Sequence, residues 1–224
     1  MNLIITPTYK AWDYVKEHCE TLDKNAYYPF FHILVDDNSG EVPPIEVTEN
    51  RHIIMLKSDP KDKKHEMQLG TCIDIALNYA LNMRIKVEDR RVYRKFDHIF
   101  YIETDVMPYK DFDKDLIDIS KTLPEDWGTL DVLSVNKEGG TTYPCTVHHR
   151  IRAINEDELL DIIPHMDFQC MLINKPMLEK FRFNDVESHW DILISRRVEE
   201  FKHYRTRKVK AVHEGGASRD CLPQ

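Results

Sequence analysis

In FFHILVDDNSG, residues 30 to 40, an apolar run ends in two adjacent aspartates, Asp36 and Asp37, with Asn38, Ser39 and Gly40 behind them. Short polar residues and glycine end strands because their side chains bond nearby backbone and tolerate turn dihedrals. A plain turn needs only one such acid, whereas neighbouring carboxylates repel and must be solvated or met by donors. The doublet therefore has two readings: a strand-ending turn, or a ligand site at the carboxyl end of a strand, where open α/β sheets bind their ligands. A second acidic pair, Glu103 and Asp105, stands in YIETDVMPY. Residues two apart on an extended chain point the same way, so these carboxylates can converge on one cation, or on a cation and a hydroxyl. Mg²⁺ and Mn²⁺ take oxygen ligands of this kind, completed by phosphates and water. A solvated acidic loop is the alternative.

Further along, SHWDILISRRV puts Asp191 at the opening of a helix. An acid there either complements the positive amino end of the helix or, within reach of a hydroxyl, serves as a general base. His213 follows the strand-like KVKAV and is either a hydrogen-bonded structural residue or a ligand. The basic runs 84–95 and 196–210 read as solvated helix faces, with an anionic acceptor, DNA included, as their other possible use.

Positioning such groups requires a scaffold, and the periodicity supplies one. LIIT at 3–6, FHILV at 31–35, HIIML at 52–56 and HIFYI at 98–102 are short apolar or β-branched runs of strand type. Between them, 12–22 and 70–83 carry apolar residues at helical spacing; Ile73, Ala76, Leu77, Ala80 and Leu81 share one face. Strands alternating with helices imply parallel pairing and right-handed crossovers. The first hundred residues thus read as a nucleotide-binding type of α/β half. Beyond them, Phe168 to Ile173 reads as a central strand followed by a helix led by Pro176.

The chain of 224 residues has 42% hydrophobic and 31% charged residues, enough apolar content for a substantial core. A net charge of -8 provides no global attraction for nucleic acid or anionic membrane. No segment approaches the roughly 18 consecutive apolar residues of a membrane span, and MNLIITPTYK lacks the pattern of a signal peptide. Five scattered cysteines, none in a CxxC pair, argue against a disulfide framework or a zinc knuckle. The expectation is a soluble, unprocessed protein of a reducing, cytoplasmic compartment.

These motifs, taken in order, resemble GT-A fold glycosyltransferases, most closely the inverting family 2. IITPTYK is similar to the first-strand signature whose turn lies against the nucleotide, which implies a donor-binding role for Pro7, Thr8 and Tyr9; Lys10 stands where the motif usually has asparagine. HILVDDNSG resembles the segment whose aspartate bonds the base, with Asp37 the better match and Asp36 behind it. YIETDV looks like the DXD-type motif, implying Asp105 as metal ligand and Glu103 as a group reaching sugar or ribose. SHWDILISRRV resembles the segment of the catalytic base, which falls on Asp191, with Trp190 replacing the usual acid and offering a wall for a sugar ring. VHEGGAS is similar to a late histidine segment, so His213 could join the metal or the diphosphate. The usual arginine of the second helix is Leu77, and Lys61, Lys63, Lys64 or His65 could take over its phosphate contact. LPEDWGTLDVL at 123–133 also resembles family 25 glycosyltransferases, which implies the same fold and donor class.

The resemblance implies a GT-A domain with a mainly parallel central sheet flanked by helices, residues 1–106 binding the nucleotide sugar and 107–224 the acceptor. It further implies Mn²⁺ or Mg²⁺ as cofactor and a UDP-sugar as donor. The acceptor could be a glycan, a protein, a small molecule or a modified base in nucleic acid. A non-catalytic binding module and a nucleotidyltransferase are the competing classes. TPTYKAWD has no glycine, against the glycine-rich phosphate loop of the latter.

Overall fold

A computed structural model of the protein describes residues 1–40, 43–56, 69–87, 90–93, 95–140, 152–155, 160–163, 166, 168–180 and 198–213. Strand β1 (Asn2–Thr8) leads through helix α1 (Trp12–Asn25) into β2 (Phe30–Asp36) and β3 (Arg51–Met55). Helix α2 (Leu69–Asn82) and a hairpin of β4 (Arg84–Val87) and β5 (Arg90–Tyr93) precede β6 (Ile99–Ile102) and the short β7 (Val106–Pro108). Then follow α3 (Phe112–Ser120), β8 (Trp127–Val135), β9 (Arg152–Asn155), β10 (Leu160–Ile163), β11 (Cys170–Ile173), α4 (Lys175–Lys180) and β12 (Lys202–His213).

One sheet runs in the order β3-β2-β1-β6-β11-β8-β12-β10-β9, with β7 paired to β12. Its first four strands are parallel. From β11 onward the pairing is mixed: β11 is antiparallel to β6 and β8, while β12 is parallel to β8 and antiparallel to β10 and β7. Every residue of β1 is buried, as a central strand covered on both faces requires. On one face Leu3, Ile5, Phe31, Ile33, Tyr101 and Met171 pack against α2 and α4 through Ile73, Ala76, Leu77 and Met177. On the other, Ile4, Phe100, Ile102 and Leu172 meet Leu22 of α1 and Phe112, Leu116 and Ile117 of α3. The result is a helix–sheet–helix sandwich.

Three sequence expectations shift. Strand β1 runs past the expected 3–6, through Pro7 to Thr8. Residues 84–87 and 90–93 form a hairpin, and 202–213 a twelve-residue strand, where helix faces were expected. Among the described residues the cysteines Cys19, Cys72 and Cys170 are free and buried, and no helix is long and apolar enough to cross a membrane.

Candidate active site

Strand β1 lies between β2 and β6, and the chain leaves it in opposite directions, first toward β2 and later to β6. Such a reversal opens a crevice at the carboxyl ends of the strands. Thr8 pairs with Asp36 at that edge, and the Asp37 N–H donates to the Thr8 carbonyl at 2.9 Å. On the far side of β1, β6 ends in a turn in which the Val106 N–H donates to the Glu103 carbonyl at 3.1 Å. The turn is tied to its surroundings by the Thr104 hydroxyl, which donates to the Pro7 carbonyl at 2.6 Å, and by the Glu103 N–H, which donates to the Gln169 carbonyl at 2.8 Å.

The two acidic motifs therefore share one edge, separated by the single strand β1. Two strand spacings come to about 10 Å, a span that suits a nucleoside at one end and its diphosphate at the other.

The two aspartates of the first motif divide the roles the sequence left open. Asp36 is fully buried and its carboxylate accepts from the Ser39 N–H at 3.0 Å and from the Ser39 hydroxyl. Ser39 Oγ in turn accepts the Lys10 N–H at 2.7 Å, so Asp36 stitches its own turn to the loop after β1. Asp37 follows, and its charge helps push the Cys72 thiol on α2 up, second to desolvation. Lys10 adopts a positive φ of 49°, a conformation in which asparagine is favoured over lysine, which gives a physical reason for the asparagine usual in the motif. Thr8 is buried, and its hydroxyl has no hydrogen-bond partner among the described residues. Tyr9 is half-buried, with Lys10 Nζ 5.1 Å from its ring centre.

At the second motif a third group arrives from far along the chain. Strand β12 pairs with β7 so that His213 lies opposite Val106, the residue after Asp105. Ligand atoms of Glu103, Asp105 and His213 all fall within 4.8 Å of one another, and His213 Nε2 is 3.5 Å from Asp105 Oδ2. Two carboxylates and an imidazole at this spacing form a donor set suited to a divalent ion such as Mn²⁺. Glu103, expected to reach sugar or ribose, joins this cluster. Desolvation, and then the Asp105 charge beside it, raise the Glu103 carboxyl well above the usual carboxylate range, opposed by the neighbouring Tyr101 hydroxyl. A positive ion would relieve both penalties.

Leu77, at the position of the missing arginine, is buried in the core. Lys64, Trp190 and Asp191, together with Lys61, Lys63 and His65, lie outside the described residues. A cavity of about 520 Å³ lined by Asp74, Leu77, Phe96, Ile99, Lys175 and Leu178 opens at the amino-terminal end of β6, away from the acidic edge.

The sequence reading missed three buried polar residues behind the site, Thr6, His18 and His32. Their signal was a polar residue on an otherwise apolar face: Thr6 in LIIT, His32 in FFHILV, and His18 in line with Val15, Cys19 and Leu22 on α1.

No protein-family model and no curated protein matches the sequence. Solved structures do. The structure of S. aureus TarS 1-349 in complex with UDP superposes with a TM-score of 0.59 at 14% identity, over 94% of this chain and 60% of that one. Its UDP-GlcNAc complex gives 0.58 at 14% identity, over 99% and 61%. GalNAc-T7 with UDP, GalNAc and Mn²⁺ gives 0.59 at 10% identity, over 95% of this chain and 43% of that one. The fold is that of the GT-A glycosyltransferases. The chain spans less than two thirds of the length of these neighbours.

Proposed function

We propose that the protein is a metal-dependent, inverting glycosyltransferase, family 2-like, that moves a hexosyl or pentosyl group from a nucleotide diphosphate, by preference a UDP-sugar, to an acceptor hydroxyl. The observation that carries this reading is the convergence of Glu103, Asp105 and His213 on the edge that also holds Asp37 and the Thr8 hydroxyl, which has no hydrogen-bond partner among the described residues. The complexes of TarS with UDP and UDP-GlcNAc, and of GalNAc-T7 with Mn²⁺, support the same donor class and metal on the same fold.

In this reading residues 1–106 bind the donor and 107–224 the acceptor. Asp37 takes the base, and Pro7, Thr8 and Tyr9 line the nucleotide, with Asp36 holding the turn behind them. Asp105, His213 and Glu103 would hold a Mn²⁺ or Mg²⁺ ion, which when bound compensates the charge of the leaving diphosphate. Lys64 supplies the phosphate contact that Leu77 cannot, and Trp190 walls the sugar. Asp191 takes the proton of the acceptor hydroxyl as general base. Inversion then needs one direct displacement with no sugar bound covalently to the protein. A glycan, a protein, a small molecule or a modified base in nucleic acid each offers the hydroxyl required.

A calorimetric screen of nucleotide sugars with and without Mn²⁺ tests the proposal. One donor binding only with metal present, and being turned over, is the expected result; no binding of any donor overturns it. Asp191→Asn is expected to abolish transfer with donor affinity nearly intact, and equal loss of both removes Asp191 from the base role. The burial of Leu77 favours one competing reading, a binding module without turnover. Metal-independent donor binding with no hydrolysis would establish that module instead.

A further inference from the structure

A line of buried hydrogen bonds runs behind the site and ends one residue from Asp105. His18 on α1 is fully buried; its Nδ1 lies 3.0 Å from the Val106 carbonyl and its Nε2 3.0 Å from the Thr6 hydroxyl. The same hydroxyl is 3.1 Å from Nε2 of the equally buried His32, whose Nδ1 accepts the Arg51 Nε–H at 3.1 Å. Arg51 ends the line in a pair with Asp23, at 2.7 Å.

Chemistry fixes the direction of every bond. A carbonyl only accepts, so the Val106 oxygen requires the His18 proton on Nδ1. Burial holds both rings neutral, His18 at about 4 and His32 well below the ordinary histidine range, so each ring has one N–H to give. His18 Nε2 must then accept from Thr6, Thr6 accepts from His32 Nε2–H, and His32 Nδ1 accepts from Arg51. All the donors point from the guanidinium toward the Val106 carbonyl, so each bond polarises the next.

We propose that His18 is a positioning residue for the ion site: its Nδ1–H on the Val106 carbonyl anchors the exit of the 103–106 turn and so holds Asp105 against His213. The Val106 N–H closes the same turn on Glu103, and Val106 lies opposite His213 in the β7–β12 pair, so one residue links all three ligands. This rests on the reading of Glu103, Asp105 and His213 as ion ligands. Partners behind a ligand set commonly change metal affinity by about 10–100-fold when removed.

Two substitutions in the full chain separate positioning from mere packing. His18→Asn keeps an N–H where Nδ1 stood and can still reach the Val106 carbonyl. His18→Gln carries its amide to the Nε2 side and keeps only the Thr6 contact. Titrated with Mn²⁺ alone and followed by loss of the free-ion electron paramagnetic resonance signal, His18→Asn is expected to stay within about 3-fold of the wild type and His18→Gln to weaken at least 10-fold. Equal affinities for all three proteins overturn the proposal, as does equal weakening in both variants. A wild type that binds no Mn²⁺ instead overturns the ion site itself. Should either variant fail to fold, the wild type decides: saturation with Mg²⁺ is expected to move the His18 Hδ1 proton resonance, and a resonance unmoved while Mg²⁺ binds overturns the proposal.

Discussion

Along one row of the sheet, Ile33, Ile5, Tyr101 and Met171 on β2, β1, β6 and β11 give way to Asp131, Arg205 and Asp161 on β8, β12 and β10. In this row β2, β1, β6 and β11 carry no carboxylate and no basic side chain, and the parallel strands β2 and β6 are followed at their carboxyl ends by Asp37 and by Glu103 and Asp105. The mixed half takes charge into the middle of its strands. There Asp131 accepts from the Thr129 hydroxyl at 3.2 Å, Thr129 lies 3.0 Å from His203 Nδ1, and Arg207 pairs with Asp161 at 3.1 Å. Burial pushes the Asp131 carboxyl up to about 7 despite the opposing Arg205 charge and the Thr129 bond. Charges at strand ends can be answered by a ligand, whereas charges in mid-strand must be answered by other protein groups. Under the proposed function the first arrangement would serve binding, while the second links β8, β12 and β10 through side-chain contacts.

Four measurements put that contrast to the test. The largest effect belongs to the strand tips: Asp105→Ala is expected to abolish Mn²⁺ binding by calorimetry while leaving the unfolding midpoint nearly unchanged. A large shift of that midpoint in either direction would place Asp105 among the structural charges instead. Asp131→Asn should do the reverse. The folded pKa of Asp131 lies above its unfolded value, so its contribution to stability is full below pH 3.8 and is lost as pH rises to about 7. That loss is about 4 kcal/mol. Urea unfolding should therefore find Asp131→Asn more stable than wild type at pH 8, level with it near pH 3.8, and unaltered in Mn²⁺ affinity.

His18 carries the opposite sign. Its folded pKa of about 4 lies below the ordinary 6.5, so its contribution is full above pH 6.5 and is lost as pH falls to about 4. The span is about 3 kcal/mol. Measured relative to His18→Asn, in which this titration is absent, wild-type stability should fall as pH drops through that window. The smallest effect lies at Lys10. Replacing it by asparagine relieves a left-handed conformation and should raise stability by about 0.5–1 kcal/mol in the same unfolding assay.

The parallel half was legible because its strands, buried on both faces, are nearly continuous apolar runs, and because a polar cluster closes each of β2 and β6. The acidic tips could be placed on one edge from strand order alone. The mixed half was not legible in the same way. KHYRTRKVKAVH alternates basic with other residues only in short stretches, with the phase broken at Arg207-Lys208, and its charge count reads as a solvated helix face. His203 and Arg205 are in fact buried, matched by groups on other strands that no local pattern announces. RIKV and RRVY are also rich in basic residues, yet they form strands β4 and β5. His213 could be suspected from the sequence, but its meeting with Asp105 depends on the pairing of β7 with β12, which is a property of register rather than of composition.

That register has a movable origin. Thr206 pairs with Val132 and Lys210 with Leu133, so residues 207–209 loop out of β12 between two consecutive partners on β8, closed by the Lys208 N–H on Thr206 Oγ1 at 3.2 Å. The number of residues in this loop-out decides which side chain arrives opposite Val106. Removing one of them would deliver the next residue to that place and carry the imidazole past it, with every acidic ligand untouched. If Glu103, Asp105 and His213 hold an ion as proposed, a change in chain length within this loop-out would replace the nitrogen donor and leave a site of oxygen alone.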